Sequence, residues 1–247
     1  MNIKLIAAGD ITKQAPVNTK DSIILGINTS FVYGIATDIQ LTKDNIPISL
    51  ESPLSQNIIT EGKEIKDLDL KEVKQLRLGN KIQSHSVLTL EESLKLFLNT
   101  TKPFILNLVD QKERNKEFVE IVVSIIKKYP TVNLYVKSES KEIALYFNTF
   151  NTKAKSGIVI SSNDPIVQNM NFDFYSFYWN DLNKDNVIRE LNKNKGIMIE
   201  QVDTAQQLQQ IGIKLGKALL ETFIITKNVV ALNNAITLYE KNVLTEL

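Results

Sequence analysis

The 247-residue chain has no cysteine and one histidine, His85. The first absence excludes disulfides and thiolate metal sites and leaves the redox compartment undetermined. The second excludes catalysis by a pair of imidazoles. Long apolar runs are missing too. Nothing approaches the roughly 20 apolar residues that a membrane-spanning helix needs. Residues 1–8 carry one lysine and a short apolar run before Gly9-Asp10. That run is too short for the core of a secretory leader and reads as a first core strand, so a cytoplasmic location is expected. Charge of one sign is also lacking. Lys plus Arg is 29, Asp plus Glu is 28, and the net charge is +1, which gives no electrostatic reason to expect nucleic acid or an acidic membrane as partner. There is no internal repeat, low-complexity tract or interdomain linker, and residues 1–247 are expected to form one domain.

What is present is an ordinary globular composition, 43% hydrophobic and 23% charged, over a length sufficient for a sizeable core. Short β-rich apolar runs fall at 3–8, 33–41, 46–51, 104–109, 133–137, 157–161, 174–178, 197–202 and 222–226. Helical patterns lie between most of them. Phe118, Ile121, Val122, Ile125 and Ile126 share one helical face. Leu94, Phe97 and Leu98 do so after a capping box at Thr89 and Glu92. Residues 229–244 read as a final amphipathic helix. Alternating strands and helices imply βα units and a mainly parallel sheet. Nine strands over this length fit a closed (β/α)₈ barrel with one extra ribbon strand.

One connection breaks the alternation. Asp44-Asn45 alone separates the second and third strands, which predicts an antiparallel hairpin. With 44 and 45 as the turn, Lys43 faces Ile46 and Asp38 faces Glu51, making two carboxylates cross-strand neighbours. Residues 55–85 have weak strand signals and are expected to form an excursion on the barrel rim, with a short helix near 70–78.

Residues 36–52, ATDIQLTKDNIPISLES, carry the most specific motif. It is similar to the signature ELDVQLTKDGVPVVIHD of the glycerophosphodiester phosphodiesterase family. Ile6-Ala7-Ala8-Gly9-Asp10 stands where that family has IAHRG, and Pro16-Val17-Asn18-Thr19 where it has PENT. Residues 87–92 resemble the family's IPTLEEVL segment, 104–109 its LNIEIK strand, and 223–226 its closing GIIT strand. The resemblance covers nearly the whole chain and implies the (β/α)₈ barrel of the phospholipase-C-like phosphodiesterases. It also implies a chemistry: hydrolysis of glycerophosphodiesters to an alcohol and glycerol 3-phosphate. Two histidines act as acid and base, three carboxylates hold a divalent metal, and Arg and Lys hold the phosphate.

Most of that set is replaced here. The resemblance puts the two histidine positions at Ala8 and Glu51, and the arginine at Gly9. The metal carboxylates fall at Ala36, Asp38 and Asn107, the phosphate lysine at Val109, and a later tryptophan at Glu200. The expectation is a degenerate member of the family that serves as a binding or assembly module, with no catalytic residue assigned. The alternative is a rearranged hydrolase in which Asp38, Glu51 and Asn107 hold Mg²⁺ or Ca²⁺, oxygen donors alone suiting such hard ions. Asn18 and Lys137 are the candidates for contacting a small phosphodiester or glycerol phosphate ligand, and a protein partner is the other expectation. Asp10 and Glu200 are expected near the same strand ends. His85 reads as an exposed loop residue. Lys43 and Asp44 read as turn chemistry. The aromatic cluster Phe172, Phe174, Tyr175, Phe177, Tyr178 and Trp179 reads as core on one face.

Overall fold

The computed structural model describes residues 3–8, 18–50, 64–79, 84–160 and 171–245. Expectations on Asp10, Pro16 and Glu51 lie outside that range. The chain opens with β1 (Lys4–Ala8), α1 (Lys20–Asn28), β2 (Val32–Leu41) and β3 (Pro47–Ser49). The excursion contributes α2 (Leu70–Val73) and a two-stranded ribbon, β4 (Leu78–Gly79) with β5 (Ser84–His85). Then come β6 (Leu88–Thr89), α3 (Leu90–Leu96), β7 (Phe104–Leu108), α4 (Asn115–Ile126), β8 (Leu134–Lys137) and α5 (Lys141–Asn148). The last part is β9 (Lys155–Ile160), β10 (Phe174–Tyr178), α6 (Lys184–Asn192), β11 (Gly196–Glu200), α7 (Ala205–Leu215), β12 (Phe223–Thr226) and α8 (Val229–Thr245).

Eight strands, β1, β2 and β7 to β12, run parallel. β1 pairs with both β2 and β12, so the sheet closes. This is the expected (β/α)₈ barrel. Outward residues of the strands pack against the helices in the main core. On α4 the buried stripe is Phe118, Val119, Val122, Val123 and Ile126. Ile121 and Ile125 lie at its edge, so the helix is rotated slightly from the expected face. The capping box on α3 is present: Glu92 N donates to Thr89 Oγ1 (3.1 Å) and Thr89 N to Glu92 Oε2 (2.8 Å).

The hairpin is present, but its register differs by one from expectation. Ile39 faces Ser49, Gln40 faces Ile48 and Leu41 faces Pro47, and Leu50 N donates to Asp38 O (3.0 Å). Asp38 is thus opposite Leu50, not Glu51. The cause is the turn. Thr42 pairs with Ile46 (N to O, 3.1 Å), leaving three loop residues instead of two. Asn45 sits at φ 64°, the left-handed conformation that such loops use and that Asn tolerates. Thr42 Oγ1 donates to Asp44 Oδ1 (2.6 Å), and Leu70 N donates to the same oxygen (2.9 Å). Lys43 N donates to Leu68 O (2.9 Å). The Thr-Lys-Asp-Asn segment therefore fastens the excursion to the barrel. Beneath it Ile48, Leu50, Ile65, Leu68, Val73, Leu78 and Val87 form a small separate core.

Inside the barrel, Ile6, Ala36, Ile105, Tyr135, Phe174, Met198, Phe223 and Ile225 pack together. Phe174 packs edge-on to Tyr135 at 5.5 Å, and Phe223 lies 6.1 Å from Tyr135. Gly157 on β9 admits the Phe174 ring. A Cβ there would stand 2.3 Å from Phe174 Cζ. Gly157→Ala should therefore destabilise the protein by about 1–3 kcal/mol through overpacking. A lower urea midpoint at unchanged slope is the expected readout; an unchanged midpoint would mean that the ring is not confined there.

Candidate functional site at the barrel mouth

Strand alternation selects the mouth residues. Two positions beyond the interior residues Ala36, Ile105, Tyr135, Phe174 and Met198 stand Asp38, Asn107, Lys137, Ser176 and Glu200, with Tyr178 two further along β10. Successive side chains on a strand point to opposite faces, so these face inward at the C-terminal ends. In such barrels that end carries the functional site. Asp38, Asn107 and Lys137 are adjacent in register on β2, β7 and β8.

A buried ion pair crosses this layer. Lys137 Nζ lies 2.5 Å from Glu200 Oε1, with side chains 6% and 9% exposed. Ser176 Oγ donates to the same carboxylate oxygen. Lys137 lines the mouth, and its charge is met by Glu200. Above the pair, the Tyr178 hydroxyl donates to Glu139 Oε1. Burial, then that hydrogen bond, then the charges of Glu139, Glu200 and Asp38 push the phenol well above the usual tyrosine range, so it stays a neutral donor.

Of the three expected metal ligands, the fold brings two together. Asn107 Nδ2 donates to Asp38 Oδ1 (2.8 Å); Glu51 lies outside the described residues. The interior position before Asp38 carries the Ala36 methyl. Among the described residues no three His, Cys, Asp or Glu side chains cluster in a way that could hold a metal ion. Asn18 is 5% exposed, left-handed at φ 61°, and accepts a hydrogen bond from Thr37 Oγ1 (2.7 Å). His85 is elsewhere. It sits on β5 with Nδ1 3.5 Å from Asp21 Oδ2 and does not line the mouth.

These residues surround a cleft of about 400 Å³. Its described lining carries five carboxylates, Asp38, Asp110, Glu139, Glu200 and Asp203, against the ammonium groups of Lys137 and Lys227. Asp203 is engaged: Lys227 N (2.7 Å) and Thr226 Oγ1 (3.2 Å) donate to its Oδ1. Sequence reasoning did not single out Asp110, Ser176 or Asp203. For Ser176 the signal was available, since it alternates between Phe174 and Tyr178. Asp110 and Asp203 follow strand ends, where no periodicity places a side chain.

A family profile described as the glycerophosphoryl diester phosphodiesterase family matches residues 15–180. The chain belongs to the glycerophosphodiester phosphodiesterase family. An uncharacterised protein of Mycoplasma genitalium is 27% identical over 173 residues, 66% of this chain and 71% of that protein. Among solved structures, an Oleispira antarctica phosphodiesterase in complex with the product sn-glycerol-3-phosphate superposes with TM-score 0.81 at 16% identity, covering 95% of this chain and 96% of the other. A glycerophosphodiester phosphodiesterase of Parabacteroides distasonis gives 0.76 at 19% identity and 98% coverage of both. At these identities the structural likeness establishes the barrel. No helix among the described residues is long and apolar enough to cross a membrane.

The Lys137–Glu200 pair is buried on both sides. Lys137→Met or Glu200→Leu alone leaves a buried charge unmatched and should cost about 3–5 kcal/mol. Both together should cost far less than the sum of the single losses. Chemical denaturation of the four proteins checks this, and additive losses would show that the two groups do not act as a pair.

Proposed function

We propose that this chain is a non-hydrolytic family member, a barrel that retains a ligand cleft and serves as a binding or assembly module. The observation that carries the reading is the absence of any imidazole from the described cleft lining, the chain's one histidine sitting against Asp21 instead. Cleaving a phosphodiester requires a group to take the nucleophile's proton and another to protonate the leaving oxygen. Ala8 offers a methyl at one of the two expected positions. The carboxylate-rich lining repels an anionic phosphodiester, and Lys137 is already neutralised by Glu200.

Of the three positions expected to carry metal carboxylates, the described residues keep one, Asp38, which accepts an amide N–H from Asn107. Ca²⁺ takes more oxygen ligands than this corner supplies, and Mg²⁺ held here would keep most of its waters and depend on a bound phosphate.

A second reading, hydrolysis around Asp38, Asn107 and Glu51, draws on the convergence of the first two at 2.8 Å. The test separates them. Purified protein is assayed on a glycerophosphodiester with Mg²⁺ or Ca²⁺, beside an Asp38→Ala preparation that reports contaminating enzyme. Equal, background turnover in both is expected. Metal-dependent turnover present in the parent and lost in Asp38→Ala would establish the hydrolase reading.

A further inference from the structure

The net charge of +1 conceals a segregation between the two ends of the barrel. The mouth lies at the C-terminal strand ends. The opposite face is built by the turns that lead from each helix into the next strand, together with the first residues of the strands. Its described residues hold two acids, Asp173 and Glu221, among many lysines. Lys127 and Lys128 precede β8, Lys153 and Lys155 enter β9, Lys195 precedes β11 and Lys217 precedes β12. Lys4 opens β1.

Two further lysines of this face are committed within the fold. Lys102 Nζ donates to Gly26 O (3.1 Å) and Thr29 O (2.6 Å) at the end of α1, and Lys193 lies 3.1 Å from Glu190. Among the described residues no carboxylate pairs with any of the others. Their nearest partners are neutral. Lys155 donates to the Tyr135 hydroxyl (2.8 Å) and Lys195 to Asn171 Oδ1 (2.7 Å), and Lys4 stands 4.9 Å from the centre of the Phe223 ring. The same face also exposes apolar surface. Tyr33, beside Phe223 at 5.5 Å, Leu98 after α3 and Leu220 before β12 are all exposed.

Uncompensated ammonium groups call for a polyanion, and the side-chain chemistry selects among polyanions. Nucleic-acid sites favour the planar fork of arginine, and the three arginines, Arg77, Arg114 and Arg189, all lie outside these turns. Lysine is depleted at protein–protein interfaces. A lysine keeps its charge at a headgroup while its stem covers apolar surface, and exposed Leu and Tyr among lysines suit the boundary between headgroups and acyl chains.

We infer that the N-terminal face of the barrel docks on an anionic lipid surface. Lys127, Lys128, Lys153, Lys195 and Lys217 meet the headgroups, Tyr33, Leu98 and Leu220 meet the acyl boundary, and the mouth is turned to the aqueous side.

The test is flotation of the full chain with vesicles of phosphatidylcholine alone and of phosphatidylcholine with one-third phosphatidylglycerol. Binding to the anionic vesicles alone is expected in about 0.1 M salt, with release in about 1 M, where the Debye length falls from about 10 to about 3 Å. Two variants of equal charge locate the surface. Lys127→Glu, Lys128→Glu, Lys153→Glu and Lys217→Glu together should lower partitioning at least about a hundredfold. Lys20→Glu, Lys71→Glu, Lys116→Glu and Lys184→Glu, at exposed positions of the mouth end and the excursion, should lower it less than about fivefold. Leu98→Ser with Leu220→Ser should lower it about tenfold. Thermal unfolding beside the parent confirms that each variant folds, and the lipid and salt comparisons on the parent stand without the variants. The inference is overturned by absent binding to anionic vesicles, by equal binding to both vesicles, by equal losses in the two charge variants, or by an unchanged Leu variant. It is also overturned if duplex DNA or polyglutamate, at equal anion concentration, strips the protein from the vesicles. No substrate enters this measurement, so its result is independent of the hydrolysis assay.

Discussion

Closure of the sheet, with β1 hydrogen-bonded to β12 on one side and β2 on the other, is the constraint on which the rest depends. A closed parallel barrel has no edge, and one side of every strand must fill a narrow interior. The lower interior is filled by Phe174, Tyr135 and Phe223, with Gly157 giving way to the largest ring. What is left at the C-terminal ends is whatever the alternation supplies there. Here it supplies an acid, an amide, an ammonium and a second acid around one opening.

Those four groups bond in two pairs before they meet any ligand. Glu200 takes up Lys137 and the Ser176 hydroxyl, and Asp38 takes up Asn107. Desolvating the ion pair is costly, and its mutual attraction repays that only with good geometry and further hydrogen bonds. Ser176 supplies one such bond. A lysine so held contributes less to anion attraction than its position alone suggests. The described lining of the cleft keeps an acid-rich character.

The hairpin illustrates how far local chemistry reaches. That residues 36–52 turn back on themselves was legible, because Asp-Asn between two apolar runs is turn chemistry. The register was not. Thr42 completes the last pair with Ile46, and Asn45 takes the left-handed conformation, so the loop has three residues. A one-residue change in a strand pair alters every cross-strand partner. Asp38 accordingly faces Leu50, one position from the partner inferred from a two-residue turn, and Glu51 itself lies outside the described residues. The excursion shows the converse. Its strand signals are weak, yet it builds a small core and docks through Asp44 to the N-terminus of α2.

By itself the sequence determined the barrel, the eight barrel strands and β3 to within one or two residues, the α3 cap and the family, since periodicity, turn residues and motif spacing are local properties; the two-residue strands β4, β5 and β6 are too short to leave such a signal. It also determined that two histidines could not be present. Tertiary structure alone decided that Lys137 meets Glu200 across 63 positions of sequence and that Tyr178 reaches Glu139. Those outcomes depend on which strand ends the closed sheet brings side by side, and separation along the chain carries no record of that.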